Sequence, residues 1–264
     1  VFIEKYPIFI ENAISNQALT FLISNVFLIH RKEALFFLFP TSQTRKRPKE
    51  RGETEMSTRT ALKQAKKNVN HPQNRKTVFR PQTSALFVID MQQFFCNPSS
   101  HAYFKDSTKI IPNIQSLMTV YRQQSLPIIF TRYALLRTES PGSMGRWWND
   151  VLYDDNEFSE IITPLHPLPS ELVLRKTQYS AFLGTDLDQI LKKHKVTNIL
   201  ITGVLTHLCC ETTARDAFMR DFDVFFVRDA TASDQRKLHA ASLRTLSDGF
   251  ATLVTTNEVI SWIK

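Results

Sequence analysis

Three residue types that perform covalent chemistry together stand just past three apolar runs of this chain. Asp90 follows SALFVI (84–89), Lys176 lies two residues beyond ELVL (171–174), and Cys209 sits in the turn after NILIT (198–202). A free thiol is only slightly ionised near neutral pH, and a neighbouring ammonium plus a helix N-terminus favour its thiolate. A carboxylate can take the proton and later return it to a leaving amine. Backbone N–H groups in the 203–209 turn suit a developing oxyanion. An acid, an amine and a thiol meeting at one sheet edge would give nucleophilic catalysis without histidine. Each residue also has a plainer reading: Asp90 as a helix cap or turn residue, Lys176 as a surface lysine, Cys209 as a small core hydrophobe. For its neighbour Cys210 the packing role is preferred, and Cys96 is read as structural or incidental.

Positioning such a trio requires a sheet whose strand ends converge. From Thr83 onward, short apolar runs alternate with amphipathic stretches, the pattern of βαβ units around a parallel sheet. SALFVI is apolar almost throughout, as for a strand covered on both faces. PIIFT (127–131), ELVL, NILIT, VFFV (224–227) and 251–254 complete six strands. Helical spacing is read over 107–124, where Ile110, Ile114, Leu117, Val120 and Tyr121 share a face, around 187–191, over 207–221 and over 235–248. Residues 133–170, with five prolines or glycines before Leu168, read as a loop-rich excursion. The expected fold is α/β, a Rossmann-like open sheet of about six parallel strands with helices on both faces. Sites in such sheets lie at the carboxyl ends of the strands.

The formal net charge of +8 suggests nucleic acid until it is located. Residues 1–80 hold 15 Lys/Arg against 6 Asp/Glu, and residues 81–264 hold 18 against 19. The folded part is near neutral, so a nucleic-acid partner is not expected. Apolar runs at 17–30 and 34–40 are split by His30-Arg31-Lys32-Glu33, and neither reaches membrane-span length. Their charge order is wrong for a secretory signal. A tether through 17–40 is kept as an alternative class. Residues 1–55 are read as upstream or disordered sequence, with Met56 as the start: Arg51-Gly52-Glu53 can be encoded by purine-rich codons resembling a ribosome-binding site. Residues 56–82 form a basic arm, and 83–264 the domain. Three cysteines cannot build a disulfide framework, which fits a reducing, cytoplasmic setting.

The stretch ITGVLTHLCCETTARDAFM (201–219) resembles the signature of the isochorismatase-like cysteine hydrolases, supported by FVIDMQQFF (87–95) and LRKTQYSAF (174–182). The resemblance covers roughly 83–260. It implies Asp90, Lys176 and Cys209 as the catalytic trio. It also implies a cis peptide between Val204 and Leu205 that aims the amides of Leu205 and Cys209 at the substrate oxygen.

Departures place the chain within that family. True isochorismatases resemble 203–219 closely, but carry Gly where Cys209 stands, Tyr at the position of Leu205 and Gln near Tyr133. Vinyl-ether hydrolysis needs protonation, whereas a thiol attacks a carbonyl. Nicotinamidases of the family bind a metal through an Asp-x-His pair after the second strand. No D-x-H occurs in this chain, and Thr131-Arg132-Tyr133 occupies the region. No metal and no cofactor are therefore expected. The lead reading is a cysteine hydrolase of a small amide, carbamoyl or ureido C–N bond. Isochorismatase is the runner-up, and an idle binding protein of the same fold a third class.

Gln92, Phe95, Tyr179, Phe182 and His207 are expected to line the pocket, with Arg132, Tyr133, Arg146 and Trp147 as further contacts. An arginine entering the site would select a substrate carboxylate. A homo-oligomer, dimer or tetramer, is expected, with the apolar segment 141–153 at its interface.

Overall fold

The computed structural model describes residues 77–264. Residues 1–55 and most of the basic arm lie outside the described residues. Six strands form one parallel sheet in the order β3-β2-β1-β4-β5-β6. They are β1 (Ser84–Ile89), β2 (Ile128–Tyr133), β3 (Leu172–Lys176), β4 (Asn198–Val204), β5 (Asp223–Ala232) and β6 (Thr252–Val254). Among the described residues eight α-helices surround it: α1 (Gln93–Cys96), α2 (Asp106–Lys109), α3 (Ile111–Gln123), α4 (Gly142–Trp148), α5 (Leu187–Lys193), α6 (Glu211–Met219), α7 (Arg236–Gly249) and α8 (Thr256–Ile263).

β1 is central and every one of its residues is buried. Its side chains alternate between two cores, as strand geometry requires. Leu86 and Val88 join Ile114, Leu117 and Tyr121 of α3 and Val259 of α8. Ala85, Phe87 and Ile89 join Leu187 and Leu191 of α5, Ala214 and Ala217 of α6 and Leu246 of α7. The near-continuous apolar run is thus the cost-free solution for a strand with helices on both sides.

Most boundaries follow the apolar pattern, and the departures have local causes. The stretch read as one helix over 107–124 is broken at Ile110, because Pro112 enters the first turn of α3 and lacks a backbone N–H. β5 runs to Ala232, well beyond the apolar VFFV. The apolar pattern breaks at Arg228 and Asp229, where Arg228 is exposed and the strand shifts register against β4 between Ile201 and Gly203, and Ala230–Ala232 are buried again. α8 was not anticipated, although Thr255 and Glu258 form a reciprocal capping box at its start. The end of the basic arm packs on the domain: the Phe79 ring lies 5.0 Å from that of Phe225, and the Arg80 amide donates to Asn198 Oδ1 at 2.6 Å.

Strand order reverses at β1, which has β2 on one side and β4 on the other. The crevice at the carboxyl ends of these strands is where open sheets of this kind carry their sites.

Candidate active site

Asp90 is the first residue past β1 and adopts φ +50°, a left-handed conformation that Asp tolerates better than most side chains. Its amide donates to Thr131, and the Thr131 hydroxyl donates to Asp90 Oδ1 at 2.7 Å. Thr131 stands beside Ile89 in the β1–β2 register, which puts its hydroxyl at the acid.

Lys176 ends β3, and its side chain is wholly buried. Its ammonium lies 2.7 Å from Asp90 Oδ2 and 3.3 Å from Cys209 Sγ, and it donates to the Gln178 carbonyl at 2.9 Å. Cys209 sits in a turn of π-helix, Thr206–Cys210, that joins β4 to α6. The peptide between Val204 and Leu205 is cis. Gly203, at φ +108°, lets β4 approach β1 here, because a Cβ would fall on the Ile89 carbonyl oxygen. Three strand ends therefore bring acid, amine and thiol into one contact.

Charge balance governs this cluster. A single buried ammonium neutralises one anion, so Asp90 and Cys209 share one proton between them. Burial pushes the Cys209 thiol far above the ordinary range, and the Asp90 charge pushes it further, while Lys176 acts in the opposite direction. Burial and the Asp90 charge thus favour the protonated thiol. This modifies the expectation of a preformed thiolate, because the lysine charge is already engaged by the carboxylate. Lys176 is displaced upward: burial, the largest single influence, favours its neutral form, but the charges and hydrogen bonds of Asp90 and Cys209 together outweigh it and hold the ammonium charged.

Cys209 is 7% exposed and forms part of the floor of a cavity of about 570 Å³. Of the expected pocket residues, Phe95, Tyr133, Tyr179, His207 and Leu205 line it. Burial pushes the Tyr133 phenol up to about 12 and shifts His207 toward its neutral form. The His207 Nδ1 lies 2.9 Å from the Ser233 hydroxyl.

Five expected contacts are placed elsewhere. Gln92 is fully buried and exchanges hydrogen bonds with the backbone N–H and carbonyl of Tyr133, while also donating to the Ser159 carbonyl. It is a tie between strand end and excursion, with no amide left for a ligand. Arg132 is bound to Asp154 at 2.6 Å and to the Ser159 hydroxyl. Phe182 is in the core between Phe87 and Phe222. Trp147 is 79% exposed and points away, whereas Trp148, one position on, lines the cavity and donates its indole N–H to Tyr179 Oη at 2.7 Å. Adjacent helix positions do not share a face. Neither Arg132 nor Arg146 reaches the cavity.

Thr131, Trp148 and Phe94 were missed. The first was legible only through strand register, and the others only through the path of the excursion. Cys210 is buried in the core and Cys96 likewise, its thiol pushed up to about 11 by burial. The position of the family's metal-binding pair does not suit a metal. Thr131 is committed to Asp90 and Arg132 to Asp154, and no cluster of three or more His, Cys, Asp or Glu with metal-holding geometry occurs among the described residues.

Comparison with known proteins gives a consistent picture. The isochorismatase domain model matches residues 84–258. The chain is 39% identical over 186 residues to Nicotinamidase 3 of Arabidopsis thaliana, covering 69% of this chain and 89% of that one. It is 32% identical over 195 residues to Enterobactin synthase component B of Escherichia coli (strain K12), covering 72% and 67%. Among solved structures, a cysteine hydrolase from Pseudomonas syringae pv. phaseolicola 1448A superposes with a TM-score of 0.68 at 30% identity, covering 70% of this chain and 94% of that one.

Proposed function

The chain belongs to the isochorismatase family of hydrolases, and from that premise we propose that it cleaves the C–N bond of a small amide, carbamoyl or ureido compound through an acyl-enzyme on Cys209. The observation that carries the reading is the contact of one buried ammonium with both a carboxylate and the only thiol on the cavity wall.

Cys209 Sγ attacks the substrate carbonyl while its proton passes to Asp90. Negative charge moves from the carboxylate through sulfur to the carbonyl oxygen, and Lys176 stays beside it throughout. The amides of Leu205 and Cys209 receive that oxygen. Collapse of the tetrahedral species breaks the C–N bond, and Asp90 gives its proton to the departing amine. Water then attacks the thioester, Asp90 takes the water proton, and the thiol is regenerated with release of the acid product. Thr131 holds Asp90 in place by its hydroxyl and is a positioning residue. The relative named Nicotinamidase 3 supports a C–N substrate.

Isochorismate hydrolysis, the family's namesake reaction, is the second reading, favoured by the match of the isochorismatase domain model over residues 84–258. The test is ammonia release over a panel of small amides, carbamoyl and ureido compounds, with wild type and Cys209→Ala side by side and pyruvate release from isochorismate followed in parallel. Ammonia release that vanishes in the variant supports the thiol mechanism. Pyruvate release that survives the substitution overturns it, and an inert protein in both assays points to the binding-protein class. The same reading carries a cytoplasmic homo-oligomer joined over residues 141–153, where Trp147 stands exposed. No helix among the described residues is long and apolar enough to cross a membrane.

A further inference from the structure

The walls of the cavity above Cys209 carry a distinctive charge pattern. Their aromatic faces come from Phe94, Phe95, Tyr133, Trp148 and Tyr179. Among the described residues their formally charged side chains are Asp150 and Asp234, and no Lys or Arg lines the space. Lys176 lies beneath the floor with its side chain wholly buried and its ammonium on Asp90. His101 Nε2 is 2.7 Å from Asp150 Oδ2, so that carboxylate is partly matched. Asp234 is exposed at the rim and near His207, which burial shifts toward neutrality, leaving the acid without an opposing charge on the wall. The influence of Asp150 reaches the Tyr133 phenol, which also feels Cys209, so acid, ring and nucleophile share one electrostatic neighbourhood.

Aromatic faces attract cations through the ring quadrupole, and carboxylates at the rim add to that attraction. A carboxylate on a ligand finds no guanidinium or free ammonium to pair with, and loses its hydration on entry. Resting on the amidohydrolase reading above, we infer that the cavity selects amides whose remote end is a flat ring bearing a positive charge, that Asp150 and Asp234 set this preference, and that a remote carboxylate is rejected. Trp148, held by Tyr179 at 2.7 Å, supplies a broad face for the ring. The carboxylate preference that an entering arginine would give has no residue to carry it, since neither Arg132 nor Arg146 lines the cavity.

The experiment uses three probes on one ring: benzamide, 3-(trimethylammonio)benzamide and 3-carbamoylbenzoate. Their binding to full-length Cys209→Ala is measured by calorimetry, and their turnover by wild type through ammonia release. The cation is expected to bind about tenfold more tightly than the neutral amide, and the anion more weakly than either. The cation-to-neutral ratio is expected to fall severalfold in Asp234→Asn and in Asp150→Asn. Equal binding of all three, preference for the anion, an unchanged ratio in both variants, or no binding at all would overturn the inference. Charge-ordered binding without ammonia release would uphold it while removing the hydrolase reading. Ammonia release without charge order would do the reverse.

Discussion

Replacing Asp90 by Asn removes a charge and almost no volume, and it separates the two roles assigned to that residue. Lys176 Nζ lies 2.7 Å from Asp90 Oδ2 and 3.3 Å from Cys209 Sγ, so carboxylate and sulfur are at most about 6 Å apart. At an effective dielectric constant of about 20, two anions at about 6 Å repel by about 3 kcal/mol. Asp90 raises the thiol by this repulsion, so its removal lowers the thiol and frees the ammonium to pair with thiolate. An energy of about 3 kcal/mol is about a hundredfold more thiolate near neutral pH. A less basic thiolate is a weaker nucleophile, with a Brønsted slope of about 0.45, which returns nearly tenfold of that gain. Asp90→Asn is therefore expected to be alkylated at Cys209 by iodoacetamide about tenfold faster at pH 7.5. Hydrolysis by the same variant should fall by about a hundredfold to ten-thousandfold, because the proton has no carrier to the leaving amine. Peptide mass spectrometry assigns the alkylated cysteine, and circular dichroism checks the fold. Alkylation at an unchanged or slower rate would refute the shared-proton argument, since Asp90 would then not be what keeps the proton on sulfur.

Other consequences concern the frame and the cavity. Gly203→Ala places a Cβ against the Ile89 carbonyl in a left-handed conformation and is expected to cost about 3 kcal/mol or more, read by chemical denaturation. Trp148→Ala removes a cavity wall and the bond to Tyr179, so KM for the amide found in the panel should rise about tenfold, whereas Trp147→Ala should leave it within about twofold. Burial raises the Cys96, Cys209 and Cys210 thiols above their unfolded values. Groups raised on folding stabilise fully below their unfolded value and lose that contribution as pH rises through the folded one. Thermal unfolding followed from pH 8 to 11 should thus show Tm falling once pH passes about 8.5, where unfolded thiols ionise. A Tm flat across that interval would contradict the assignment of buried neutral thiols.

Much of this protein was legible in the order of its residues. A run of six apolar residues such as SALFVI has few uses in a soluble chain other than a strand covered on both faces, and the same physics marked the other strands. Once the strands were placed, the rule that open sheets work at their carboxyl ends made Asp90, Lys176 and Cys209 candidates, and the resemblance of the surrounding motifs favoured them over their plainer readings. Their contact depends only on strand order and register, both of which backbone geometry constrains tightly. Side chains carried on irregular segments behaved differently. Trp147 and Trp148 are indistinguishable in composition, and only the rotation of α4 turns one outward and the other to Tyr179. Gln92 and Arg132 have the chemistry of ligand-binding residues, yet each is consumed by partners between 22 and 67 positions away in the chain. The amino-acid sequence alone determined the sheet and the candidate reacting groups, because periodicity and strand ends are local properties. Tertiary structure decided that one ammonium touches both Asp90 and Cys209, which rings line the cavity and which charges stand on its wall, because those depend on distances between segments that no local pattern encodes.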